Sequence, residues 1–396
     1  MGAWIKQVIA ITALNLRNLP ARPGPSAVAI LGVAAVVGVF AAVLSMAKGF
    51  ERTMIAAGSE DVAIVFRAGS TTELNSGLSY EQPQIIAGAP GVIEIDGAPA
   101  VSAELYVVVD LPLKATNTSA NVPLRGIQPG GYLVRPQLEI VEGRPFEPGR
   151  NEIVVGRAAQ RQFAGLGVGS TVQFGQTEWQ VVGAFEDGGS VSESELWCDV
   201  RVLQPAWRRG NTFQSVRARL KSPAAIEAFE SELARDPRVE VDVFPERDYY
   251  AQQSEALSRF IRLVGYPVSI LMAIGAIFAA LNTMYASVAA RSNEIATLRA
   301  IGFRPGAVAV ATLIESSVLA LIGGVIGAVV VYLVFNGFTV STLNGASFSQ
   351  VVFDFAVTPE LLQQGMIAAL AIGVVGGLFP ALRAARLPVV TALREL

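Results

Sequence analysis

The chain has 396 residues, of which 52% are hydrophobic and only 16% charged, and its formal net charge is −3. It has no histidine and one cysteine, Cys198. That excludes an intrachain disulfide, a cysteine zinc site and any triad or metal centre built on histidine, and the mildly negative charge leaves no footprint for nucleic acid.

The charges are unevenly placed: residues 51–258 hold 28 of the 33 acidic and 18 of the 30 basic residues. The remainder is apolar and mildly basic. Residues 1–25 read as a cytoplasmic or interfacial helix, with Trp4, Ile5, Val8, Ile9 and Leu16 suited to the membrane surface. Residues 26–47, "SAVAILGVAAVVGVFAAVLSMA", are uncharged and long enough for a first span. The run exceeds a signal-peptide core and lacks a convincing cleavage site, so an uncleaved anchor is expected.

Residues 48–258 are charge-rich and read as an extracytoplasmic α+β domain. Two stretches repeat a helix, proline turn, strand order: "EQPQIIAGAPGVIEID" (81–96) and "AIEAFESELARDPRVEVDV" (225–243). Their alternating apolar and acidic strands would each wet one face. Such halves, far apart in sequence, suggest a subdomain built from the ends of the domain. A β-rich lobe, about 115–214, would be inserted between them, with strands "NEIVVG", "STVQFG" and "EWQVVGAF" separated by glycine turns. The acidic run "DGGSVSESELWCD" (187–199) contains Asp187, Glu193, Glu195 and Asp199. It lacks calcium-loop spacing and is expected to be a solvated hairpin. Ser192 and Ser194 lack a histidine base, and Cys198 is expected to be a small buried hydrophobe. No catalytic residue, cofactor or metal site is expected.

Three more spans follow, at 263–290, 312–336 and 361–382, the third being uncharged from residue 316 onward. Glu315 opens that span; it is expected to snorkel to the interface, the alternative being a pair with an arginine of the preceding connection. Lys6, Arg17 and Arg22 precede the first span, Arg291, Arg299 and Arg304 lie between the second and third, and Arg383, Arg386 and Arg394 follow the fourth. The loop 337–360 has no basic residue. By the positive-inside rule both termini, including the tail 383–396, are cytoplasmic and the large domain is outside, with Lys48, Arg259 and Arg262 as minor contradictions. Small-residue stripes at Ala34/Gly38/Ala42, Gly323/Gly327 and Gly373/Gly377 suit close helix approach, either within one bundle or in a homodimer.

The cytoplasmic connection 291–304 begins "RSNEIATLRAIGF" and reads as a short helix. Ile295, Leu298 and Ile301/Gly302 share a face, Arg291 can pair with Glu294, and Gly302 with Pro305 marks a stop. By composition alone this is a solvated, positive-inside loop.

Together, "RSNEIATLRAIGFRPGAV" and the following "LIESSVLALIGGVIG" resemble the signature region of FtsX/MacB-type permeases of ABC transporters. The closing "GGLFPALRAARLPVVTALREL", the first-span region and "GRPFEPGRNEIVVGRAAQRQFAGLGVGSTVQFGQTEWQVVGAF" resemble the same family. The resemblance implies an α-helical membrane protein with four transmembrane helices. It also implies an extracytoplasmic domain made of a porter-like subdomain with an inserted β-rich lobe. Residues 291–304 would be a coupling helix on an ABC ATPase, with Arg291, Glu294, Ile295, Leu298, Arg299, Ile301 and Gly302 at the contact. No G-x-x-x-x-G-K-[ST] occurs, so ATP hydrolysis is expected in a separate subunit. The expected function is that of an inner-membrane permease subunit passing ATP-driven motion to the outer domain, to move a lipoprotein, peptide, antibiotic or lipid. The expected partners are the ATPase, a second permease copy, membrane lipids and, where the branch uses one, a periplasmic adaptor. The rivals are an FtsX-like regulator of a cell-wall hydrolase and an anchored receptor without an ATPase.

Overall fold

Largely apolar sequence with no proline past the first turn makes the first two helices. The computed structural model describes residues 2–19, 23–345 and 347–389; Arg22, Arg394 and the closing "ALREL" lie outside the described residues. Helix α1 (Gly2–Arg17) is amphipathic, burying Ile11 and Asn15 and exposing Ile5 and Ile9. Helix α2 (Pro23–Ala56) runs beyond the uncharged stretch, because Lys48, Glu51 and Arg52 form helix readily and no proline intervenes.

The strand-rich part then runs β1 (Val62–Arg67), a 3-10 turn at Glu73–Asn75, α3 (Gln82–Ala87), β2 (Glu94–Ile95), β3 (Ala98–Pro99), β4 (Val101–Pro112) and β5 (Ser119–Ile127). It continues with α4 (Gly131–Val134), β6 (Glu139–Gly143), β7 (Glu152–Gly156), α5 (Arg157–Gln162), β8 (Thr171–Phe174) and β9 (Thr177–Glu186). After a 3-10 turn at Val191–Ser194 come β10 (Leu196–Asp199), α6 (Val200–Ala206), β11 (Ser215–Arg219), α7 (Ala225–Leu233) and β12 (Val241–Pro245). Last are α8 (Glu246–Ala290), α9 (Ser292–Ala300), α10 (Pro305–Phe335), the hairpin β13 (Thr339–Asn344) and β14 (Ser349–Asp354), and α11 (Pro359–Arg386).

The chain divides into two compact units. One comprises Met1–Lys48, Arg259–Phe338 and Phe355–Leu396; the other comprises Gly49–Ser258 and Thr339–Asp354. Among the described residues four helices are long and apolar enough to cross a membrane: Ser26–Ala56, Glu246–Ala290, Pro305–Phe335 and Pro359–Arg386.

In the helical unit the small-residue stripes are used within the chain. A Cβ on Gly323 would fall 2.6 Å from the Ile30 carbonyl oxygen, and one on Gly327 would fall 2.5 Å from that of Ala34. Glycine at both positions lets α10 lie against α2 at backbone distance. On α11, a Cβ on Gly373 would fall 2.6 Å from Ala320 Cβ, and one on Gly377 would collide with the Ser316 hydroxyl. Gly38 differs, since a Cβ there meets only Val331 Cγ2 at 3.9 Å, an ordinary contact. The stripes therefore pack the helices of one copy.

In the other unit a ten-stranded mixed sheet runs β12-β1-β11-β4-β5-β10-β7-β9-β6, with β8 on β9. Strand β4 joins its two halves. Residues Val101 to Glu104 pair with β11, and Leu105 to Pro112 pair with β5. The β-rich lobe is thus not a free insertion beginning near 115: its first strand is the far end of β4. The paired helix–turn–strand stretches also diverge. β12 enters the main sheet beside β1, whereas β2 forms only a two-residue hairpin with β3. Both helices nevertheless reach one core, through Ile86 on α3 and Ile226, Phe229 and Leu233 on α7. The hairpin β13–β14 belongs to this unit. The Val352 N–H donates to Ser194 Oγ at 3.0 Å, and Asn121 Nδ2 donates to the Phe348 carbonyl at 2.7 Å.

Candidate functional site

The charged segment after the second long helix is a separate short helix. Helix α8 ends at Ala290, Arg291 takes a non-helical φ of −112°, and α9 begins at Ser292. It stops at Gly302, whose φ of +101° suits glycine. Pro305 then opens α10, where a missing N–H costs nothing.

The apolar side of α9 faces inward. Ile295 is buried, and Leu298 packs with it against Ile11 and Val8 of α1, Ala307 and Val308 of α10, and Ala384 of α11. Helix α1 supplies part of the groove in which Ile295 is buried, and Leu298 is half-buried at its edge. Gln7 of α1 adds to this seat: its Oε1 accepts from the Arg304 N–H at 3.2 Å. Arg299 is half-buried and donates to the Leu387 carbonyl. Glu294, Thr297, Ala300, Ile301 and Gly302 remain open, Ile301 being 69% exposed.

Arg291 is buried between three helices. Its Nη1 donates to both oxygens of Glu315, at 2.9 and 3.2 Å, and its Nη2 donates to Asn15 Oδ1. Nε makes no hydrogen bond; Glu294 Oε2 stands 3.6 Å from it. Glu315 therefore does not snorkel. It is 3% exposed, and desolvating a carboxylate there is tolerable only because a guanidinium comes with it. Asn15 was missed in the sequence; its signal is an amide on the packed face of α1, two turns after Gln7 and one turn after Ile11.

A second charge cluster, also missed, lies in the sheet unit. Arg125 on β5 donates to Glu73 at 2.6 Å, Glu104 at 2.9 Å and Glu195 at 2.7 Å. Arg217 on β11 donates to Glu73 at 3.0 Å, to Glu104 and to Glu246 at 2.7 Å, and Arg135 donates to Glu104 at 2.9 Å. All are buried. Burial raises the Glu104 pKa, but Arg135, Arg217 and Arg125 outweigh it and hold the group at about 2. Glu73 is likewise held far below the usual carboxylate range, burial being overcome by Arg125 and Arg217. These ionised, saturated groups are unsuited to proton transfer. They sit where β4 passes from β11 to β5 and fasten that joint. The sequence signal was a charge inside each of the apolar strands "VSAELYVVV", "VPLRGI" and "SVRARL".

The acidic run 187–199 is buried rather than solvated. Glu195 accepts from Arg125 and from Trp197 Nε1, the latter at 2.7 Å. Glu193 accepts from the N–H groups of Asp187 and Gly189. Asp199 caps α6 through the Arg201 N–H. Burial raises the Asp187 pKa. Among the described residues no group of three His, Cys, Asp or Glu is placed to hold a metal ion. Cys198 is fully buried, and burial followed by the Asp199 charge pushes its thiol pKa well up.

Comparison with known proteins gives the family. Residues 26–236 match the model of the MacB-like periplasmic core domain, and residues 267–389 match that of the FtsX-like permease C-terminal region. The macrolide export ATP-binding/permease protein MacB of Pasteurella multocida is 24% identical over 307 residues, covering 73% of this chain and 45% of that protein. MacB of Bdellovibrio bacteriovorus is 25% identical over 405 residues, covering 94% of this chain and 59% of that protein. The chain thus spans about half the length of these relatives. The uncharacterized ABC transporter permease YknZ of Bacillus subtilis is 23% identical over 407 residues, covering 96% and 98% of the two chains. Among solved structures, the extracellular domain of YknZ from Gram-positive bacteria aligns with 46% of this chain and 99% of its own, at 18% identity and a TM-score of 0.36. The periplasmic region of MacB from Actinobacillus actinomycetemcomitans aligns with 49% and 92%, at 15% identity and a TM-score of 0.37. With one family model covering more than half of the sequence and the second most of the rest, the chain belongs to the MacB/FtsX-type permeases of ABC transporters.

Proposed function

We propose that the chain is the permease subunit of an ABC-type complex in a bacterial inner membrane and transmits the movement of a separate ATPase to its outer domain. One observation carries this reading: α9, tied directly to two spans, keeps Glu294, Thr297, Ala300 and Ile301 exposed while its other side is seated on the permease itself. A short, rigidly backed helix with a small exposed strip can enter a groove of a soluble partner and be moved by it. The MacB relatives are named ATP-binding/permease proteins and this chain covers 45% and 59% of two of them, which is consistent with ATP hydrolysis lying outside residues 1–396. The uncharged runs of the spans offer no hydrophilic path, which favours mechanical work on a lipoprotein, peptide, antibiotic or lipid over conduction through the bundle. On this reading both termini and α9 are cytoplasmic, the sheet unit is periplasmic, and two permease copies serve two ATPase subunits. An adaptor in the periplasm would extend the route.

The test is co-purification of an ABC-type ATPase with the affinity-tagged permease, together with ATP hydrolysis by the reconstituted complex. Ile301→Asp places an unpaired charge in the contact and should weaken ATPase binding about tenfold or more. Leu298→Asp acts differently from a surface change, since it buries a charge inside the permease and should lower permease stability first. Wild-type binding and hydrolysis with Ile301→Asp would refute the docking role of α9.

A further inference from the structure

We propose that Arg291 is a positioning residue, whose guanidinium, held by Glu315 and Asn15, sets the orientation of α9 in which ATPase movement reaches the spans. The inference rests on the function proposed above and deepens it. Arg291 occupies the break between α8 and α9, so the residue that interrupts the helix is the one whose side chain is pinned. The pinning groups come from two other elements, Asn15 from α1 and Glu315 from α10. The remaining contacts of α9 with these helices are mainly apolar, through Ile295 and Leu298. Apolar burial is non-directional and tolerates sliding or rotation, whereas charged hydrogen bonds from a planar guanidinium fix an angle.

Two further features point the same way. A buried ion pair is a weak source of stability, because desolvation offsets its attraction, so packing alone gives little reason for one here. Asn15, Arg291 and Glu315 also line a cavity shared with Pro23, Met284 and Leu319. That open space lies beside the α8–α9 break, so on this side the break is held by the polar contacts of Arg291 and not by apolar packing. Arg291 Nε stands 3.6 Å from the half-exposed Glu294, which brings the node within one side chain of the surface.

The experiment uses the full chain with cysteines introduced at two exposed positions, Ile9 on α1 and Ala300 at the end of α9, for paired spin labels; the buried Cys198 stays unlabelled. In the permease alone, E315Q should broaden the spacing between the labels, and E315D, which keeps the charge, should restore a narrow distribution. In the complex, E315Q should leave ATPase co-purification in place and lower permease-stimulated ATP hydrolysis about tenfold. The double variant R291M/E315L removes both charges and should unfold no earlier than the parent, yet it should remain uncoupled. An unchanged label spacing in E315Q, or parental coupling in R291M/E315L, would overturn the proposal by reducing the pair to a packing element. If no ATPase binds the parent, the proposed function fails, and the spacing in the permease alone still decides the positioning role.

Discussion

Arg217 shows how a single residue governs the sheet unit. Its guanidinium reaches Glu73, Glu104 and Glu246 and is fully buried. Arg217→Met removes one positive charge, leaves the buried Glu246 without its arginine and leaves Glu73 and Glu104 with one fewer, so a loss of about 3–5 kcal/mol is expected, to be read from thermal unfolding of the full chain. The same network makes stability depend on pH. In the unfolded chain glutamates titrate near 4.3, whereas in the fold Glu104 titrates at about 2 and Glu73 is also depressed. The unfolded state therefore binds more protons between these values. The contribution is complete above about pH 5 and is lost progressively as the pH falls towards about 2. Asp187, raised by burial, acts with the opposite sign and offsets part of the loss. Fluorescence of Trp197, whose Nε1 bonds to Glu195, gives the readout, and Glu104→Gln should flatten the profile. At this scale the sequence was least legible. Arg125, Arg217 and Glu104 are ordinary letters in strands, and nothing local says that three strands bring them together.

Individual elements were read with more success, and the failures have one cause. The glycine stop after α9, the strands β7, β8 and β9, and the apolar helices follow from local periodicity and turn chemistry, which the tertiary structure leaves intact. The inward face of α9 does not, because a partner groove and a groove made by α1 demand the same apolar spacing. The stripes on α10 behave alike: small residues allow close approach without naming the neighbour. Gly327→Leu should force α10 away from the Ala34 carbonyl, reducing the yield of folded, detergent-stable protein, while Gly38→Ala should have little effect. Parental behaviour of Gly327→Leu in size-exclusion chromatography would contradict the packing described. The hairpin β13–β14 yields another expectation. Residues 49–258 produced alone lack its bonds to Ser194 and Asn121. They should unfold at a lower temperature than the same fragment with residues 339–354 linked to it. Equal melting temperatures would mean that the hairpin contributes nothing to the sheet unit.

For the whole molecule, reporter fusions after Leu14, Arg304 and Leu396 should report cytoplasm, and fusions at Gly175 and Ser347 should report the outside. A cytoplasmic signal at Gly175 would overturn the proposed topology. Composition by itself determined that the chain is a membrane protein with a charge-rich domain, because hydrocarbon admits only long uncharged helices and water demands charge. Motif order determined the family. Only the tertiary structure decided that the acidic run is interior, that β4 joins the two halves of the sheet, and that Glu315 meets Arg291. A charge can be solvated, or buried with a partner of opposite sign, and the local sequence is the same in either case. The choice depends on residues far away along the chain, such as Asn15 for Arg291 and Glu73 for Arg217, that only folding brings within hydrogen-bonding distance.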